Sequence, residues 1–495
     1  MSDQMYIYLA LAIYFGGMLL IGYIAYKRTT DHEDYMLGGR DLPPWVAALS
    51  AGASDMSGWL IMGLPGAIYA TGLIEGWIAV GLTIGAYLNW LLVAPRLRAY
   101  TEVANNSITI PSFFENRLHD KSHLLRIISS IIILIFFTLY VSSGMVAGGV
   151  FFEESFGMDY FWGMALVVVI TLGYTLFGGF LGASFTDVVQ GLMMMVALGL
   201  VPIAAVLAVG GVGETTSTIG TVSPGNLSLI GAGQFETGAA ALIIISGLAW
   251  GLGYFGQPHI IVRFMALRNP QEAKAARRIG MTWMIISLGG AVVTGLIGIA
   301  FFHQRGETLE NAETVVLRMS QILLHPLIAG FVLAAVLAAI MSTFSSQLIV
   351  CSSALIEDLY KAVRKTPPPG QQLVILGRLA VLVIAAIAFV LAINPNDSIL
   401  GLVSFAWAGF GASFGPLVIL SLFWRKLTTW GALAGMATGA ATVFIWKALE
   451  TGIYELLPAF IVHVLVAVVV SLATYRKNDA IQAEFDSTVA MVKAK

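Results

Sequence analysis

Polar positions along this chain are sparse, and they gather in clusters between long apolar runs. Residues 5–26, MYIYLALAIYFGGMLLIGYIAY, carry no charge, and several later runs exceed the ~18 residues that suggest a bilayer span. Thirteen such segments are read near 5–26, 44–65, 73–95, 124–149, 160–182, 187–209, 239–261, 279–302, 322–356, 372–393, 399–424, 429–448 and 454–474. Backbone groups facing lipid must be satisfied within their own element, and no alternation of a barrel strand is visible, so the segments are predicted to be helices. The longer connections are 96–123, 210–238 and 262–278. No Pro- or Ser-rich linker sets off a soluble unit. Residues 1–477 therefore read as a single transmembrane domain, with 478–495 a polar tail expected to form a surface or frayed helix.

Charge gives the orientation. Lys27, Arg28 and Arg40 follow the first span, and Arg96, Arg98, Arg117 and Lys121 follow the third. Arg263, Arg268, Lys274, Arg277 and Arg278 follow the seventh, Lys361, Arg364 and Lys365 the ninth, Arg425 and Lys426 the eleventh, and Arg476 and Lys477 the last. The opposite loops carry Glu153, Glu154, Asp159, Glu214, Glu236 and Glu450, with Arg305, Arg318 and Lys447 against the trend. Basic loops stay in the cytoplasm, which predicts an N-terminus outside and a C-terminus inside. The start, MSDQ, lacks the positive region of a signal peptide, so the first span is expected to remain in the mature protein.

Two spans break the apolar pattern. LSAGASDMSGWLIMGLPG (49–66) holds Asp55, four glycines and three serines; SGLAWGLGYFGQPHI (246–260) holds four glycines and Pro258. They are the second and seventh spans, five apart, and interrupted helices at matching places in two halves point to a transporter built on inverted repeats. The repeats are predicted to be spans two to six (about 44–209) and seven to eleven (about 239–424). Glycines in membrane helices also serve close packing, so the pairing of the breaks is what favours this reading. Gly251, Gly253 and Gly256 spell G-x-G-x-x-G, but a dinucleotide site needs a preceding strand, and this one lies inside a span.

An unwound turn frees carbonyls that suit a small hard cation and amides that suit a carboxylate. Asp55 adds negative charge at a depth where a charge costs at least ~2.5 kcal/mol, so a partner or a watery cavity is expected; capping of the second half-helix is the other role open to it. Ser342 and Thr343, in LAAVLAAIMSTFSSQ (333–347), either bond back to their own helix or join an unwound segment as oxygen ligands. Trp250 and Tyr254 share a helical face, Trp59 follows the first break and Tyr140 lies in the fourth span, an aromatic set that suits packing or the walls of a pocket.

Composition narrows the classes. The 495 residues are 58% hydrophobic and 11% charged, against about 25% charged in soluble domains, and the net charge of −2 offers no nucleic-acid surface. The lone Cys351 allows no internal disulfide. No catalytic pair is placed at depth, so an enzyme is not expected, and Asp31, His32, Glu33 and Asp34 lie in a solvated loop. One broken-helix site without a pore ring argues against a channel. A membrane sensor needs a signalling module, and only about twenty residues follow residue 474.

At LGGR (37–40), SAGASDMSGWLIMGLPGA (50–67), GGFLGASFTDVVQ (178–190), WGLGYFGQPHI (250–260), LAAIMST (337–343) and GLVSFAWAGFGASFGP (401–416), the sequence resembles the sodium:solute symporter family, specifically its proline-carrying branch. The resemblance runs from about residue 6 to 476. It implies a leucine-transporter-type fold in the cytoplasmic membrane and sodium-coupled symport of L-proline by alternating access, without organic cofactor or obligate protein partner. The same fold carrying another amino acid, a vitamin or a sugar is the alternative. By the resemblance, sodium lies between the second and ninth spans, held by the carbonyls of Ala53, Met56 and Ala339 and the hydroxyls of Ser342 and Thr343, with Asp55 organising it. Proline lies near Ser57, Gly58 and Trp59, enclosed by Tyr140, Trp250, Tyr254 and Pro258. Arg40 and Asp187 are implied as a pair at the inner gate, an ordinary interfacial salt bridge being the other reading.

Overall fold

The computed structural model describes residues 3–28, 37–360, 362 and 370–494. The basic residues Lys361, Arg364 and Lys365 and the acidic stretch Asp31–Asp34 lie outside the described residues. All regular elements among those described are helical; Leu42 and Leu267 form one isolated parallel bridge. Ten described helices are long and apolar enough to cross a membrane. The other three predicted segments are the interrupted second span (Pro44–Asp55, Trp59–Gly63 and Leu64–Thr71), the apolar run Tyr160–Gly173, and Thr429–Ala448.

Several boundaries differ from the reading of the sequence. The fifth and sixth segments form one run, Tyr160–Val209, kinked at Gly179 rather than separated at 182–187. Gly179 has φ 56°, ψ −158°, a conformation open to a residue without Cβ. The ninth segment begins as Val315–Leu323 and resumes at Pro326, because proline pushes His325 into an extended conformation (φ −54°, ψ 138°). The connection 96–123 is largely helical: the third span continues to Val103, and Ile110–Leu118 follows, capped by reciprocal bonds between Thr109 and Ser112. The connection 210–238 contains the helix Val212–Val222.

Burial ranks the helices. Within Pro326–Tyr360, 83% of the most apolar window is buried, whereas the figure is 28% for both the first span and Leu456–Thr474. The ninth span is thus the central column, and the first and last spans lie at the periphery. Small residues let neighbours approach: a Cβ at Gly85 would stand 2.1 Å from the Gly251 oxygen, and one at Gly251 would stand 2.2 Å from that of Gly81. The third and seventh spans therefore touch backbone to backbone.

The basic connections gather on one face. Arg98 bonds the carbonyls of Leu267 and Arg268, and Arg268 meets Asp41 at 2.8 Å. The tail helix Asp479–Lys493 docks on this face through Arg425–Asp486 (2.6 Å), His119–Glu484 (2.9 Å) and a buried Phe485. It is anchored rather than frayed. Arg263 departs from the charge pattern: it is 1% exposed inside the helix Pro258–Met265, not a loop cation, because a buried carboxylate awaits it there.

Candidate functional site

Both suspect spans are interrupted at mid-length. The first half of the second span ends at Asp55, where Met56 turns out of the helix (φ −83°, ψ 84°) while its N–H still donates to the Gly52 carbonyl at 2.9 Å. Glycine and serine density lowers the cost of the break, and the chain regains helix through a wide turn at Trp59–Gly63. In the seventh span, Thr237–Ala249 tightens into a 3-10 stretch, Trp250–Gly256, then restarts at Pro258 after an extended Gln257. Proline has no N–H to donate and disfavours helix in the residue before it, so the break falls where Pro258 requires it.

Asp55 sits at the junction. It is 1% exposed; the Tyr254 hydroxyl donates to its Oδ2, and Oδ1 has no hydrogen-bond partner. Its backbone oxygen accepts from the Trp59 indole at 3.1 Å and from the Tyr140 hydroxyl at 3.3 Å. The carboxylate caps neither following helical segment, so the capping alternative fails; Ser57 takes the nearest such bond, accepting from the Trp59 N–H at 3.4 Å. A buried carboxylate with one oxygen unsatisfied is a costly arrangement unless a positive group visits it. Behind it lies a cavity of about 20 Å³ lined by Gly52, Met56, Asn89, Trp90 and Tyr254, room for about one water.

Across from this break stands the ninth span. The Ser342 hydroxyl donates to the Ala53 carbonyl at 2.7 Å and to that of Ala339 at 3.2 Å, and Thr343 Oγ1 reaches the Ala53 oxygen at 3.5 Å. Four oxygens from two helices thus converge in a buried spot. The helix Pro326–Ser353 is continuous, so the hydroxyls reach the second span from an intact column rather than an unwound one. Met56 is buried at the break, and its carbonyl makes no hydrogen bond to these hydroxyls.

The aromatic residues form a continuous wall. Trp59 lies 6.3 Å from Trp250, which lies 6.3 Å from Trp407 and 5.3 Å from Tyr454, ring centre to ring centre. Tyr254 meets Trp407 edge-on at 5.1 Å, and Tyr140 meets His259 edge-on at 6.0 Å. Gly58 faces Ala147, Ile340 and Ile399, with no room for a side chain without a shift. Pro258 opens the second half of the seventh span.

Several residues of this region were not singled out from the sequence. Trp407 fills the space that glycine leaves at 253, where a Cβ would lie 1.9 Å from its Nε1, and its indole donates to the Trp250 carbonyl at 2.9 Å. Asn89 donates to the Tyr254 carbonyl at 2.9 Å, and Gln257 to those of Gly253 and Trp407. Polar residues inside otherwise apolar spans were the available signal for Asn89 and Gln257; nothing local distinguishes Trp407 from other membrane tryptophans.

Arg40 and Asp187 are not brought together. Arg40 donates to Thr101 Oγ1, the Met265 carbonyl and the Ser107 carbonyl. Asp187, fully buried, receives Arg263 at 3.2 Å and the Ser50 hydroxyl at 2.7 Å. Arg263 also donates to Ser346, Ser50 and the His259 carbonyl. One guanidinium therefore ties the second, sixth, seventh and ninth spans together on the basic side of the break. On the opposite side an open cavity of about 570 Å³ reaches down to Trp250.

Access from one side, a buried tie on the other and two broken helices at the junction describe a secondary transporter. Two solved structures share the fold, that of the leucine transporter. A Na⁺-coupled sialic acid symporter in its substrate-bound outward-open state matches with a TM-score of 0.81 at 20% identity, over 96% of this chain and 99% of that one. Mhp1, a nucleobase-cation-symport-1 family transporter, matches at 0.56 and 12% identity, over 92% and 98%. The chain belongs to the sodium:solute symporter family, whose sequence profile matches residues 35–439. It is 57% identical to the high-affinity proline transporter PutP of Bacillus subtilis, over 95% of this chain and 98% of that protein. It is 54% identical to the osmoregulated proline transporter OpuE of the same organism, over 99% of both, and 50% identical to a sodium/proline symporter of Staphylococcus aureus, over 99% and 96%. With its apolar helices and these bacterial relatives, it is a multi-pass protein of the cytoplasmic membrane.

Proposed function

We propose that this protein carries L-proline into the cell together with sodium, by alternating access. The observation that carries the reading is the meeting of Ala53, Ala339, Ser342 and Thr343 oxygens beside the break at Asp55, with the aromatic wall of the other broken helix opposite. The names of the relatives supply the solute and the ion.

In this reading sodium takes the Ala53, Met56 and Ala339 carbonyls and the Ser342 and Thr343 hydroxyls, whose protons then turn away from Ala53. The Asp55 charge favours the ion without coordinating it. Sodium knits the second span to the ninth and so shapes the adjoining pocket, where proline binds at Ser57, Gly58 and Trp59 between Tyr140, Trp250, Tyr254 and Pro258. The Arg263–Asp187 tie keeps the cytoplasmic side shut until both are bound, and Arg40 holds the inner loops on which opening turns. The frame is thirteen spans, an outer N-terminus, and repeats 44–209 and 239–424 within a single unit ending near 477, followed by the tail 478–495.

Coupling follows from differential affinity: an ion that favours the proline-competent state must be bound more tightly, by the same factor, once proline is present. One charge crossing ~100 mV releases about 2.3 kcal/mol and a tenfold gradient about 1.4 kcal/mol. One sodium per proline then sustains roughly 500-fold accumulation.

The test is uptake of radiolabelled L-proline into proteoliposomes with a sodium, potassium or proton gradient as the only driving force, followed by competition with other amino acids, a vitamin and a sugar. Sodium alone should drive uptake, and proline should compete best. Uptake that ignores sodium, or stronger competition by another solute, overturns the reading.

A further inference from the structure

The open cavity beside the aromatic wall has its own chemistry. It is lined by Trp250, Tyr454 and Lys447 and by three carboxylates, Glu75, Glu450 and Glu455. Glu455 is 6% exposed and begins the helix Leu456–Thr474, yet its side chain makes no capping bond and its Oε1 has no hydrogen-bond partner. The Tyr454 hydroxyl, by contrast, is committed to the Ser404 carbonyl at 2.6 Å. Among the described residues neither Lys447 nor Glu455 makes an ion pair. A desolvated carboxylate left open in this way favours a cationic group that arrives with its own hydrogen-bond donors.

A bare metal cation fits poorly here: Glu75 and Glu450 share the cavity with Glu455, but among the described residues no three carboxylates, histidines or cysteines gather to hold one, and Lys447 offers a partner to an anion. A molecule carrying both signs fits both residues, and the stacked pair Trp250 and Tyr454 gives its apolar part an edge to lie against. We propose that the cavity is a capture site for a zwitterionic amino or imino acid, its ammonium on Glu455 and its carboxylate toward Lys447, one tryptophan away from the transport pocket. Trp250 belongs to both places, so a molecule released from Glu455 meets the inner pocket without returning to bulk water. Taking the occupant to be L-proline rests on the function proposed above.

The experiment uses the full chain in proteoliposomes. Glu455→Gln should raise the proline concentration for half-maximal uptake about fivefold to tenfold, with the sodium dependence and the maximal rate kept within twofold. The retained sodium response shows that the variant is folded. In a Cys351→Ala background, Thr451→Cys places a label on the rim; millimolar L-proline should slow its reaction with an impermeant maleimide, and should still do so after Asp55→Asn has weakened the inner site. Glu455→Gln should remove that protection. An unchanged proline dependence overturns the capture site, as does a shift in sodium dependence alone. Protection lost with Asp55→Asn or kept with Glu455→Gln also overturns it. Failure of the wild-type protein to take up proline strikes the proposed function instead, and a panel of other zwitterions in the labelling assay then tests the cavity by itself.

Discussion

Asp55→Asn removes one formal charge while keeping shape and one carbonyl oxygen, so its effect isolates the electrostatic part of sodium binding. Residue 55 lies two positions beyond Ala53, whose carbonyl is already within reach of Ser342 and Thr343; by helical geometry the two Cα atoms stand about 5–6 Å apart in a straight line. Unit charges ~6 Å apart at an effective dielectric constant of about 20 attract by about 2.8 kcal/mol, or about two decades of affinity. Part of that is recovered because the asparagine dipole still points an oxygen into the break. The expected result is a tenfold to hundredfold rise in the sodium concentration for half-maximal proline uptake, measured in proteoliposomes at saturating proline. Tyr254→Phe is the matching control: it removes the hydroxyl bonded to Oδ2 and leaves the charge, so its sodium shift should be smaller than that of Asp55→Asn. An unchanged sodium dependence in Asp55→Asn would remove the carboxylate from the coupling argument.

Ser342→Ala combined with Thr343→Ala deletes two of the five proposed ligand oxygens and should abolish sodium-stimulated proline binding without impairing membrane insertion; normal binding would reduce the hydroxyls to helix-internal donors. The Arg263–Asp187 pair is 1% and 0% exposed, so Arg263→Met or Asp187→Asn alone strands a buried charge at a cost of about 3–5 kcal/mol. Each single variant should therefore lower the melting temperature of the purified protein more than the double variant does, and a double variant showing the sum of both losses would refute the pairing.

The breaks were legible because they are written in local chemistry. Proline at 258 dictates an extended residue before it, glycine and serine weaken the helix around Asp55, and a carboxylate at membrane depth demands explanation whatever surrounds it. The kink at Gly179 was not legible, since glycine occurs throughout these spans and only packing decides which one bends. The charge pattern located the basic face correctly for Arg98, Arg268 and Arg425 but misplaced Arg263, because loop and buried arginines look alike until their partner is known.

From the sequence alone came the membrane, the helices and the two interruptions, all of which depend on neighbours a few residues apart in an apolar solvent. The tertiary structure decided which distant groups meet. It set Ser342 against a carbonyl 289 positions earlier, joined Asp187 to Arg263 rather than Arg40, and slid Trp407 into the gap at Gly253. Such contacts depend on how many nearly interchangeable apolar segments pack, and hydropathy cannot tell one partner from another when lipid and leucine are equally good neighbours.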